Sequence, residues 1–275
     1  MTNTILVPTD FSECSINAIK YAANLARKIS NTNLLIAHAY SLPITYGEAG
    51  LYSPVVKITD QMEEEIKMQF EKMERQVPEL NEVSFQTVSF AGFVTEMVES
   101  LCPNNEIDMI VMGTKGASGI DEVLLGTNTN SVVRSINIPT IVIPENAHYK
   151  AIRNIALASD YKPIDGKVLD PLKKLIKITK GDLHIIHIGD KDGISSTEAT
   201  VAKKFVQFFK NIPHHFHYIV NEDVETGLNE YIIRKQIDLL ALIPRKHKFF
   251  DMIFGKSESR RIIFHTKTPV ITLPS

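Results

Sequence analysis

The chain reads as an α/β protein built from two tandem, doubly wound parallel sheets, each of five strands, over residues 1–146 and 151–275. Three observations lead there. Apolar strand-length runs alternate with segments of helical periodicity, the pattern of a parallel sheet covered on both faces. The same order of landmarks restarts midway. A length of 275 residues with 44% apolar side chains can bury two cores of ordinary domain size.

The elements follow in order. Thr4-Ile-Leu-Val-Pro-Thr9 is a buried strand ending in Asp10. It feeds a helix over Ser15 to Ser30, where Ile16, Ile19, Ala23 and Ala26 recur at helical spacing. Asn33 to Tyr40 is a strand, Lys57 to Gln76 a helix with one apolar face, Val83 to Ser89 an alternating strand, and Phe93 to Leu101 a helix. Asp108 to Met112 is a buried strand, and a helix from about Asn128 leads into Pro139-Thr-Ile-Val-Ile-Pro144. The second copy opens with Asn154-Ile-Ala-Leu-Ala-Ser-Asp160. His38 then matches His187, Asp108 matches Asp238, and the proline-bracketed strand recurs as Pro269-Val-Ile-Thr-Leu-Pro274. The junction, Glu145 to Arg153, is short and polar, so the halves are expected to pack closely.

Composition excludes several classes. A net charge of -2 with charges spread along the chain leaves no basic stripe for a nucleic-acid backbone. The first residues lack a signal peptide's basic and apolar regions, and no apolar run is long enough to span a bilayer. Cys14 and Cys102 are too few for a disulfide framework and are read as reduced thiols. A cytoplasmic location is expected.

The chemistry concentrates after the fourth strand of the first half. Gly113-Thr-Lys-Gly116 follows that strand directly, and Gly126-Thr127 opens the next helix. Loops at the carboxyl ends of parallel strands line the ligand crevice. Glycines allow close backbone approach, while the first helical amides offer unpaired donors and a partial positive charge. Thr127 and Thr129 can add hydroxyls and Lys115 a cation, which together make an anion cradle.

The spacing G-x2-G-x9-G-[ST], joined to Pro8-Thr9-Asp10 at the end of the first strand, resembles the ATP-binding signature of the universal stress protein family. The resemblance covers nearly the whole chain as two copies and implies a Rossmann-like, adenine nucleotide alpha hydrolase-like fold. It implies ATP, ADP or AMP as ligand, with Mg as companion ion. Carried over by motif, it implies base and ribose contacts from Pro8, Thr9, Asp10 and Ala39. It implies further contacts from Met112, Gly113, Lys115, Gly116, Gly126, Thr127, Asn128 and Thr129, with the glycine loop holding the phosphates. Asp10, an acceptor when ionised, suits ribose hydroxyls or the base. The implied role is a stress-response regulatory module. A slow ATPase and a nucleotide-free interaction scaffold are the alternatives. No nucleophile with a base, and no carboxylate pair, stands out as catalytic.

The second half carries a degenerate loop. Pro244 stands for the first glycine and removes an amide, His247 stands for the second, and the stretch before Gly255 is two residues shorter. Its basic residues, Arg245, Lys246, Lys248 and Lys256, read as a solvated loop. This half is expected to be chiefly structural, completing a pseudo-dimer by edge pairing of residues 140–143 with 270–273 as in universal stress protein dimers. A homodimer through another edge and an unidentified protein partner are further expectations.

Other signals are set aside. Gly255-Lys-Ser257 imitates a P-loop but Phe250 stands where its first glycine belongs. Gly113, Gly116 and Gly119 follow the fourth strand, not the first as a dinucleotide fingerprint requires. His38 and His187 lie in apolar runs and read as core residues. His214, His215 and His217 are weak metal candidates without a visible further ligand, so no metal is expected. Cys14 sits near a helix start but reads as a buried thiol.

Overall fold

The computed structural model describes residues 3–41, 52–114, 126–189, 193–243 and 268–274. Lys115, Gly116 and the second-half loop from Pro244 to Ser257 lie outside the described residues.

The first half runs β1 (Asn3–Pro8), α1 (Glu13–Ala26), β2 (Thr32–Tyr40), α2 (Tyr52–Gln76), β3 (Ser84–Ala91), α3 (Val94–Asn105), β4 (Ile107–Gly113), α4 (Thr127–Ser135) and β5 (Thr140–Ile143). The second runs β6 (Asn154–Ala158), α5 (Asp170–Thr179), β7 (Asp182–Gly189), α6 (Ser196–Phe208), β8 (His214–Val220), α7 (Val224–Arg234), β9 (Leu239–Leu242) and β10 (Val270–Thr272). Several helix bounds differ from expectation: α1 ends at Ala26 and not Ser30, α3 runs on to Asn105, and two starts move earlier. α1 starts earlier, because Ser12 caps it by accepting from the Ser15 amide at 3.3 Å. α2 starts at Tyr52, with Pro54 tolerated in its first turn, where no intrahelical donor is needed.

All strands join in one 10-stranded sheet, ordered β3-β2-β1-β4-β5-β10-β9-β6-β7-β8. Within each half every pair is parallel. The halves meet through the antiparallel pair β5 and β10, with Ile141 opposite Ile271. The Thr272 hydroxyl adds a bond to the Thr140 carbonyl at 3.2 Å. Prolines bracket both strands and lack a ladder donor, so the seam stays short while two otherwise open edges cover each other.

One face of this sheet carries a single core running through both halves, from Ile5, Val7 and Ile36 across Ile141 and Ile271 to Leu157 and Ile185. The other face splits into two cores, one under α3 with Met97 and Val98, one under α7 with Leu228 and Tyr231. The junction is tied down. The Asn17 amide donates to the carbonyls of Ala147 at 2.7 Å and Glu145 at 3.4 Å, and Ala147 and Ile152 are buried. Buried junction residues explain why the halves pack as expected and are not tethered loosely.

The matched aspartates brace the strand starts. Asp108 accepts from the Thr4 amide at 3.0 Å, and Asp238 accepts from the Arg153 and Asn154 amides, both at 2.9 Å. Hydrogen bonds to a charged group are worth more than neutral ones. Asp238→Ala is therefore expected to lower unfolding free energy by about 2 kcal/mol, read from the urea midpoint.

Candidate functional site

β1 ends at Pro8, and the next four residues make a tight reversal into α1. Phe11 has φ 62, in the left-handed region, which costs a non-glycine residue about 1–2 kcal/mol. Its ring offsets this by packing 4.6 Å from the His38 ring and 5.1 Å from Phe70. The Thr9 hydroxyl accepts from the Phe11 amide at 3.0 Å and shares a bond with Ser15 Oγ at 2.9 Å. Asp10 Oδ1 accepts from the Ser12 amide at 3.1 Å and the Ser12 hydroxyl at 2.6 Å. His38, expected to be a packed residue, also ties two strands together. Its Nδ1 donates to the Thr9 carbonyl at 2.8 Å and fixes the end of β1 against β2.

The second half repeats this wiring. Tyr161 has φ 48 and stacks on His187 at 4.6 Å, and His187 Nδ1 donates to the Ser159 carbonyl at 2.9 Å. The Ser159 hydroxyl accepts from the Tyr161 amide, as Thr9 does from Phe11.

In the first half the strand ends and helix starts enclose a cleft of about 370 Å³. Pro8, Thr9, Asp10, Ala39, Met112, Gly113, Gly126, Thr127, Asn128 and Thr129 line it. Those are all the motif residues that lie within the described chain. Ser15, Val94 and Met97 line it as well. Sequence reasoning missed these three because they belong to helix starts that carry no motif. The signal available was that the first turn after each strand faces the same end of the sheet.

The cleft has two chemically different walls. Ala39, Val94, Met97 and Met112 form an apolar one, and thioethers adapt to a flat ligand face. The other begins with α4 at Thr127, whose first intrahelical bond runs from the Asn130 amide to the Gly126 carbonyl at 2.9 Å. The amides of Thr127, Asn128 and Thr129 thus have no carbonyl behind them in the helix and sit at its positive end. Among the described lining residues, the charged one is Asp10.

Three contacts add to the roles expected from the motif. The Thr129 hydroxyl is buried and donates to the Gly113 carbonyl at 2.8 Å, so its proton braces α4 against β4 and is not available to an anion. The Gly126 amide donates to the Thr114 carbonyl at 2.6 Å, so it closes the loop on itself. Gly113 is required by α1: a Cβ there would stand 2.7 Å from Cys14 Sγ and 3.0 Å from the Cys14 carbonyl oxygen. Cys14 is buried in this contact, as expected of a plain thiol. At Cys102, burial and the Glu99 carboxylate push the thiol's pKa up, which disfavours a reactive thiolate.

No group of three His, Cys, Asp or Glu side chains among the described residues is arranged to hold a metal. His214 turns to the Ile212 carbonyl at 2.8 Å. No helix among the described residues is long and apolar enough to cross a membrane.

The profile of the universal stress protein family matches residues 1–144. Universal stress protein MJ0577 of Methanocaldococcus jannaschii is 26% identical over 155 residues, spanning 52% of this chain and 95% of that protein. MJ0531 of the same organism is 25% identical over 142 residues, spanning 50% of this chain and 80% of its own. A crystal structure of a universal stress protein from Archaeoglobus fulgidus aligns with TM-score 0.64 at 18% identity, over 98% of this chain and 95% of that one. That likeness concerns the fold, and it extends through both halves.

Proposed function

We propose, for a chain that belongs to the universal stress protein family, that the cleft between Pro8–Asp10 and Thr127–Thr129 binds an adenine nucleotide and that occupancy regulates the protein. The observation that carries this reading is the pairing of an apolar wall with helix-start amides that have no partner within the helix, in one cleft. A base suits the wall formed by Ala39, Val94, Met97 and Met112. Phosphates suit the start of α4, with Lys115 and Gly116 of the adjoining loop and a Mg ion as further partners. Asp10 accepts from the ribose hydroxyls.

Residues 1–146 are then the nucleotide-binding domain and 151–275 its structural partner. Ile188 stands where Ala39 stands in the first half, directly after the matched histidine. Its Cγ2 lies 3.4 Å from the point a Cβ on Gly227 would occupy, so β7 and α7 meet where β2 and α3 leave the cleft. Tyr218 also crosses the end of β7, and its hydroxyl would collide with a Cβ on Gly189.

The test is direct. Purified protein is denatured and the released nucleotide identified, and ATP with Mg is added to apo protein in a thermal shift assay. A ligand at a hundred times its Kd adds about 2.7 kcal/mol to stability. Asp10→Ala and Gly126→Val are expected to abolish that shift. No released nucleotide and no shift would leave the scaffold reading instead. Phosphate release that disappears with Asp10→Ala would make the protein a slow ATPase.

A further inference from the structure

The outer edge of the second half holds a cluster that the nucleotide reading does not use. β8 is the last strand of the sheet, so only β7 supports it through a ladder. His184 on β7 lies in register with His215 on β8, and His217 follows two residues on, so the three imidazoles share one sheet face. The His184 and His217 rings stack at 5.4 Å, with His215 5.9 Å from His184 and 6.4 Å from His217.

α7 closes this face. The Tyr231 hydroxyl shares a hydrogen bond with His184 Nδ1 at 2.9 Å, and its ring lies 5.0 Å from that of His217. Burial pushes the Tyr231 hydroxyl's pKa up to about 12, so it stays neutral here. His217 Nε2 is buried with no hydrogen-bond partner among the described residues. The charged neighbours are mostly of one sign. Lys235 and Arg234 at the end of α7 act on the cluster, and Asp182 at the start of β7 opposes them at His184. On the β6 side, Ala156 pairs with His184 and brings no charge.

We propose that His184 and His217, packed beside His215, form a proton-sensitive lock, whose charging at mildly acidic pH loosens the corner made by β7, β8 and α7. Neutral imidazoles stack and accept the Tyr231 contact. A proton added to His184 or His217 meets neighbouring rings and the Lys235 cation, with Arg234 also acting on His217, and among the described residues His217 Nε2 has no acceptor to receive a new N–H.

The sign follows from where protons bind. Burial first, then the neighbouring imidazoles and Lys235, hold His184 and His217 below the usual histidine value. In the opened corner they return to about 6.5. Below that pH the open form binds more protons, so the lock is fully present above it. Its contribution is lost as pH falls from there toward the lowered folded values.

Hydrogen exchange of the full chain at pH 7.5 and 5.0, corrected for intrinsic rates, tests this. Peptides covering residues 214–220 and 224–234 are expected to lose protection at least about tenfold more than peptides of β1 and β4. In the double variant His184→Phe/His217→Phe that selective loss disappears. Equal changes across the sheet, or a selective loss retained in the variant, would overturn the proposal. Should the double variant fail to fold, imidazole NMR of the native protein decides. His184 and His217 must both titrate below about 6.5, and either one titrating at or above it sinks the lock.

Discussion

Replacing Ala39 by Ile is expected to weaken adenine-nucleotide binding by at least about a hundredfold, or roughly 2.8 kcal/mol, while leaving the protein folded. The second half already shows the geometric consequence. With Ile188 at the matched position, its Cγ2 lies 3.4 Å from where a Cβ on Gly227 of α7 would stand. In the first half the same branch would enter the cleft that Ala39 lines together with Met97 and Met112, the space assigned to the base. Stability should change by less than about 1 kcal/mol, because a β-branched residue suits the end of a strand and here enters open space. Isothermal titration with ATP and Mg, alongside a urea melt, separates the two effects. Undiminished affinity in a folded variant would show that the base does not lie against β2.

Gly113→Ala should act through stability as well as binding. Its new Cβ meets the sulfur of Cys14, which could rotate away, but also the Cys14 carbonyl oxygen at 3.0 Å and carbonyl carbon at 3.1 Å. Those backbone atoms belong to the first turn of α1, held by the Ser12 cap and by the Ser15 to Thr9 bond. The helix start must therefore shift as a unit, at a cost of about 1–3 kcal/mol. Asp10 and Ser15 would shift with it, so nucleotide affinity falls too. Combining the change with Cys14→Ala relieves the sulfur contact and not the carbonyl contacts. The double-mutant cycle is thus expected to recover part of the lost stability. A Gly113→Ala protein as stable as wild type would show that α1 adapts without strain.

Particular residues show how far local pattern reaches. His38 and His187 are readable as packed residues from their apolar runs, but their bonds to the Thr9 and Ser159 carbonyls are not, since nothing in a strand's sequence tells which carbonyl lies across the sheet. Gly113 reads as a phosphate-loop glycine because it follows a strand. Its contact with Cys14 joins segments far apart in the chain, beyond any periodicity. Val94 and Met97 carry no motif at all, and they enter the cleft only because α3 is laid against β2 and β1. His215 and His217 read as neighbours on one strand face, while His184 joins them through the register of β7 with β8.

Local pattern in the chain is enough to set the α/β class, the duplicated plan and the strand-end loops where a ligand cleft would open. Burial periodicity and glycine placement are local properties, and two copies of the same pattern reinforce each other. The pairing of β5 with β10 follows the expectation for residues 140–143 and 270–273, and its antiparallel register is settled by tertiary packing. So are the close approach of Gly113 to α1 and the way Ile188 meets α7 where Ala39 leaves space. Each of these depends on contacts between distant segments, whose geometry is set by packing of the whole core and leaves no spacing in the chain to read.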